Sequence, residues 1–171
     1  MTQNIRSQST AAVTGDHTSD GRPHGSTSLT PFVAVTDAAS AITFYRRVFG
    51  ARLISSNEYG GVVVHADLDF GVGRLQLGEV NPEYRLVSGP SGDDACFSLA
   101  VYVTDVDTTV ERAVAEGSVL REPTSQFASG DRYASIRDPY GIRWSVMTRT
   151  VDLSDEESAQ RVAEWAAALT E

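Results

Sequence analysis

The apolar and polar positions of this chain run through one pattern and then repeat it. Leu29-Thr30-Pro31-Phe32-Val33-Ala34-Val35 reads as a strand, with Pro31 near its start as an edge strand tolerates. Asp37 then stands as N-cap to a helix over residues 38–49. Ala38, Ala41, Ile42, Tyr45, Val48 and Phe49 recur there at offsets of three and four, and Gly50 supplies the stop. Strands are predicted over residues 52–57, 62–70 and 74–79, parted by Tyr59-Gly60-Gly61 and Gly71-Val72-Gly73. In the middle one, strict alternation sends Val62, Val64, Ala66 and Leu68 toward the helix and leaves His65 and Asp67 on the opposite face. Residues 81–94 carry Pro82, Gly89, Pro90 and Gly92 without a sustained period and read as a linker. The second round has a strand over 97–103, an N-cap at Asp105, and a helix with Val106, Val110, Ala113 and Val114 on one face, ended by Gly117. Shorter strands follow near 119–121, 133–137 and 142–148.

The two rounds form an internal repeat. Val33-Ala34-Val35-Thr36-Asp37 and Val101-Tyr102-Val103-Thr104-Asp105 share V-x-V-T-D 68 residues apart. Each half reads strand, helix, strand, strand, strand, and one helix cannot cover both faces of its sheet. The halves, at about residues 29–80 and 95–149, are therefore expected to pair as an α+β domain around a cavity. Residues 1–28 are rich in Ser, Thr, Gly and Asp and are expected to be a disordered tail. Residues 150–171 open with a Ser154-to-Glu157 capping box and continue with Ala159, Val162, Ala163, Ala166 and Leu169 as a stripe. That amphipathic helix either docks on the domain or makes a dimer contact through Trp165.

Composition narrows the chemistry. A formal charge of -9 with no basic run argues against a nucleic-acid partner. All 14 basic residues are arginine, which removes Schiff-base chemistry and a Walker-type phosphate loop. The single cysteine, Cys96, excludes an intrachain disulfide or a multi-cysteine metal site and is expected to be a buried, inert thiol. The polar start holds no signal-peptide core and no stretch is long and apolar enough to span a membrane, so a cytoplasmic protein is expected.

The run from Thr30 through Thr36-Asp37-Ala38-Ala39-Ser40-Ala41-Ile42-Thr43-Phe44-Tyr45, with Val48-Phe49-Gly50-Ala51, resembles the opening of vicinal oxygen chelate proteins, the glyoxalase, bleomycin-resistance and extradiol dioxygenase superfamily. Gly130-Asp131-Arg132-Tyr133 and Arg137-Asp138-Pro139-Tyr140-Gly141-Ile142-Arg143-Trp144-Ser145 are similar to the close of its PhnB-like branch. The resemblance covers roughly residues 29–149 and implies two βαβββ modules, a cavity between them, and a homodimer. Metal-dependent members hold a divalent ion with His, Gln or Glu from four strands. The matching positions here are Thr30, Ser98, Ser145 and Gln76, or less favourably Leu77. Hydroxyls are poor anchors for zinc, nickel or iron, so no cofactor is expected and a divalent metal is disfavoured.

Strand alternation exposes Arg74, Gln76, Tyr102, Arg143 and Ser145 to the cavity, with Tyr133 and Ser135 as further members of uncertain phase. His65 with Asp67 suits an acid/base pair or a hydrogen-bonded polar strand face. Arg74 and Arg143 suit an anionic group or internal ion pairs, and Phe32, Tyr102 and Tyr133 suit stacking or core packing. The expected function is metal-independent binding of a small organic molecule in the inter-module cavity. The alternatives are a lyase, isomerase or proton-transfer enzyme acting on a carbonyl metabolite through His65 or a divalent metal, and an interaction protein with a vestigial cavity.

Overall fold

The computed structural model describes residues 11–169. In the first module, β3 (Phe32–Val35), α1 (Ala38–Phe49), β4 (Arg52–Tyr59), β5 (Val62–Asp69) and β6 (Arg74–Glu79) build a four-stranded sheet in the order β3-β6-β5-β4. The second repeats this with β7 (Ser98–Tyr102), α2 (Val106–Ala115), β8 (Val119–Gln126), β9 (Asp131–Arg137) and β10 (Arg143–Arg149), in the order β7-β10-β9-β8. Only β3 with β6 and β7 with β10 run parallel within these sheets. A parallel return needs a long crossover, and α1 and α2 lie in the connections that follow β3 and β7.

The predicted caps form. Asp37 accepts from the Ser40 amide, Gly50 closes α1 in the left-handed region at φ 70, and Asp105 accepts from the Thr108 amide. The apolar face of α1 is buried, including Ala38, Ala41, Ile42, Tyr45 and Val48, and so is Phe44, which periodicity left out. Its ring meets Tyr140 edge-to-face at 5.9 Å, so a contact from the other module covers it.

The modules join on their helical sides. Phe49 and Trp144 lie 4.7 Å apart, and Tyr45, Phe70 and Tyr140 complete the aromatic layer. At its centre Asp138, 3% exposed, accepts four hydrogen bonds. The Tyr140 and Ile142 amides donate to Oδ1 at 2.9 Å, while Tyr45 Oη and Trp144 Nε1 donate to Oδ2 at 2.7 and 2.9 Å. The D-P-Y-G-I-R-W run is thus a turn whose aspartate latches the second module to α1. Arg112 of α2 adds bonds to the C-terminal carbonyls of Arg47 and Val48, which α1 itself leaves unmatched.

Several expectations are corrected. Residues 11–28 of the predicted tail carry a short hairpin, β1 (Thr18–Ser19) with β2 (Arg22–Pro23), turned at Asp20 and Gly21 with φ 50 and 78. Asp-Gly turn chemistry supplies that hairpin without any apolar period. Residues 1–10 lie outside the described residues. Cys96 is exposed, because the strand begins only at Ser98 and the preceding apolar residues stand off the sheet. In β5 the ladder pairs Asn57 with His65 but Glu58 with Val63, which makes Val64 a bulge. The bulge reverses the alternation, so Val63 is buried while Val62 and Val64 are each 42% exposed. Gly78 accommodates it, since a Cβ there would overlap the Val64 carbonyl group. Finally, β8 runs to Gln126 through two register shifts, five residues beyond the Arg121 at which the strand was expected to end.

Beyond β10, α3 (Asp155–Ala168) forms with its capping box intact but buries none of its residues. Its attachments include Ser158 Oγ to the Ser129 carbonyl at 3.0 Å and Trp165 edge-to-face on Phe127 at 5.0 Å.

Candidate functional site

With the helical sides joined, the opposite faces of both sheets carry the candidate side chains. On the first module, Phe32 stands across from Gln76 in the β3–β6 ladder, and Asp67 across from Gln76 in β5–β6. Arg74 Nη1 donates to Asp67 Oδ2 at 2.7 Å, and the two side chains are only 16% and 15% exposed. Asp67 Oδ1 is buried without a partner. Among the described residues no hydrogen bond joins His65 to Asp67, and the His65 ring lies against Phe32, centroids 6.1 Å apart. The residue preceding β3 on this side, Thr30, shares a hydrogen bond of 2.7 Å with Thr27. Asp69, opposite Arg74, is held below the usual carboxylate range mainly by the Gly71 amide and further by the Arg52 guanidinium.

On the second module, Ser98 and Ser145 lie on neighbouring strands with their hydroxyls 3.4 Å apart. Arg143 donates from Nη2 to Glu122 at 3.0 Å and from Nε to Ser135 Oγ at 3.3 Å. Tyr133 Oη donates to the other oxygen of Glu122 at 3.2 Å. Glu122 therefore orients both candidates at once. Sequence reading missed it because the strand was ended at Arg121, and the bulges that carry β8 onward have no periodic signature. A cavity of about 350 Å³ opens here, lined by Cys96, Phe97, Ser98, Tyr133, Arg143 and Ser145. Tyr102 is 58% exposed at the edge of this sheet.

A second cavity, about 280 Å³ and mostly apolar, lies at the junction of the modules against Phe70, Arg74, Leu99, Tyr102 and Trp144. It brings Arg74 and Tyr102 to one space. The other candidates fall into a first-module group (Phe32, His65, Asp67, Gln76, with Thr30) and a second-module group (Ser98, Tyr133, Arg143, Ser145). No hydrogen bond or ion pair connects these groups among the described residues. The four positions matched to metal ligands hold Thr30, Gln76, Ser98 and Ser145, and among the described residues no three His, Cys, Asp or Glu side chains gather. This donor set does not fit a catalytic divalent ion, which takes three or more imidazole or carboxylate ligands. The arrangement can offer donors and acceptors from Arg143, Tyr133, Ser98 and Ser145 beside an aromatic wall.

Residues 16–146 match the family model of the Glyoxalase/Bleomycin resistance protein/Dioxygenase superfamily. An uncharacterized protein of Mycobacterium tuberculosis (strain ATCC 25618 / H37Rv) is 30% identical over 137 residues, covering 77% of this chain and 81% of that protein. The crystal structure of TioX from Micromonospora sp. ML1 aligns over 75% of this chain and 100% of that one, with 28% identity and TM-score 0.56. A PhnB protein from Bacillus cereus, described as a putative 3-demethylubiquinone-9 3-methyltransferase, shares the fold at 20% identity and TM-score 0.56, covering 71% of this chain and 99% of its own. No described helix is long and apolar enough to cross a membrane.

Proposed function

Since the chain belongs to the glyoxalase/bleomycin resistance protein/dioxygenase superfamily, we propose that it binds a small organic molecule without a metal, in a cavity completed by a second copy of the chain. The observation that carries this reading is the donor set: hydroxyls of Thr30, Ser98 and Ser145 stand at three of the four positions where a chelated ion would take imidazole, amide or carboxylate, leaving Gln76 alone. Supporting it, the second-module cavity joins one guanidinium, three hydroxyls and two aromatic rings, a lining suited to a planar molecule with polar substituents.

The dimer follows from what a single chain leaves open. Within the chain the modules meet through α1, which packs on α2 and on Trp144 and bonds Asp138, so neither sheet covers the other. Phe32, Ile54, Val62, Val64, Phe97, Tyr102, Val119 and Leu120, all on or beside the two sheets, are each at least 36% exposed. Sheets paired between two copies would bury them and bring the two candidate groups to one site.

The test is metal content by mass spectrometry after dialysis against metal-free buffer, followed by a thermal-shift screen of small organic molecules. Little bound metal together with a ligand that raises Tm is expected. A near-stoichiometric divalent ion overturns the metal-free reading, and a screen in which no compound raises Tm overturns binding.

A further inference from the structure

The repeat supplies an internal control for charge. In the first module Asp67 stands opposite Gln76 and Asp69 opposite Arg74; in the second, Ser135 stands opposite Ser145 and Arg137 opposite Arg143. Asp67 and Asp69 are thus replaced at matching ladder positions, one by a hydroxyl and one by a guanidinium. Arg74 finds Asp67 at 2.7 Å, while Arg143 reaches Ser135 through Nε at 3.3 Å and takes its carboxylate from Glu122. Like charges directly opposed across a ladder are destabilising unless something of opposite sign lies between them.

Three arginines stand on adjoining strands in this part of the second sheet, Arg121 on β8, Arg137 on β9 and Arg143 on β10, the last two directly opposed in the ladder. Arg121 pairs with Asp93 and Arg137 donates to the Gly92 carbonyl, so two successive residues of the inter-module loop sit on them. Arg137 has no carboxylate among its hydrogen bonds, and its Nε is buried without a partner. Asp93 itself is 74% exposed, a weakly held counter-charge. The loop has a counterpart. Gly25 and Gly92, 67 residues apart, adopt φ 77 and 78, and a Cβ on Gly25 would stand 3.5 Å from Arg74 Nη2. Each module is therefore preceded by a strap lying over an arginine of its own sheet, but Arg74 of the first sheet has Asp67 as its carboxylate while Arg137 of the second has none among its hydrogen bonds.

We propose that Arg121, Arg137 and Arg143 form an oxyanion subsite for the carboxylate or phosphate group of a small-molecule ligand, which the chain's own Gly92-Asp93 segment occupies as a tethered stand-in. The subsite deepens the function proposed above and rests on it. An oxyanion entering between Arg137 and Arg143 relieves their repulsion, satisfies Arg137 Nε and displaces the strap.

The test follows the side-chain Nε–H signals of arginine by NMR in ¹⁵N-labelled full-length protein. Inorganic phosphate and acetate are titrated separately at constant ionic strength. The Arg137 and Arg143 signals are expected to move while that of Arg74 stays still, and the more effective anion identifies the class. Asp93→Asn, at an exposed position, is expected to tighten binding several-fold by weakening the strap, and Arg137→Gln to abolish the shifts. Shifts spread equally over Arg74 and Arg52, or an affinity unchanged by Asp93→Asn, overturn the proposal. A thermal-shift screen without hits alongside intact phosphate shifts counts against the broader function alone; a screen hit with no anion shift at Arg137 counts against the subsite alone.

Discussion

Asp138 shows how much one side chain can decide. Desolvation pushes its carboxyl above the ordinary carboxylate range, and the bonds from Trp144, Tyr45, Ile142 and Tyr140 oppose that shift. Burial, and then the same carboxylate, raise the Tyr45 phenol well above its usual range. Asp138→Asn would keep an acceptor for the two amides but turn an NH₂ group toward the Trp144 N–H. It is expected to lower stability by about 1–3 kcal/mol, read as a shift of the urea midpoint at unchanged slope, because a buried donor is left unmatched. An unaltered midpoint would show that the turn does not depend on charge. The motif was legible in the sequence, and its partner was not. Nothing in the spacing of Tyr45 and Asp138 signals that they meet, and Tyr45 had been placed only on the apolar face of its helix.

At the scale of elements, the caps form as read because their physics is local, whereas the period of α2 put Val114, which is 44% exposed, on the buried face. Asp37, Gly50, Asp105 and the Ser154–Glu157 box each act within a few residues of themselves. Legibility failed where one strand has to fit another. The Val64 bulge inverted the assignment of Val62 and Val63, and the irregular ladder of β8 hid Glu122. The caps also set a pH dependence. Asp37 and Asp105 are held below the ordinary value of 3.8, chiefly by the Ser40 and Thr108 amides. A depressed folded-state pKa contributes stability above the unfolded value and loses it as pH falls through 3.8 toward the folded value. Asp37→Ala and Asp105→Ala should therefore lower Tm at pH 7, with the gap to the native chain closing as the solution is acidified below about 3.8. A gap that persists undiminished into strong acid would contradict the cap account.

For the whole molecule, the repeat, the two modules and the family were visible in sequence, while their mutual placement was not. Alternation identifies a face but not what covers it, so the candidates appeared as one constellation and separate into two within a chain. If a second copy unites them, sedimentation of the full chain should report a dimer. Val64→Glu, which places a carboxylate on the exposed side of the first sheet, should shift that equilibrium toward monomer with little loss of the helical signal, as desolvating a charge opposes burial of this face. A monomer throughout would remove the completed cavity.

The Asp138 latch also bears on how the chain acquires its shape. Most ladder contacts join strands next to one another in sequence within a module, whereas Tyr45 and Asp138 are separated by 93 positions. Closing so long a loop is entropically slower than zipping a hairpin. Each half can therefore organise before the two are joined, and the latch belongs to the late side of the barrier. Asp138→Asn is therefore expected to raise the unfolding rate more than it lowers the refolding rate, read from the two arms of a chevron plot.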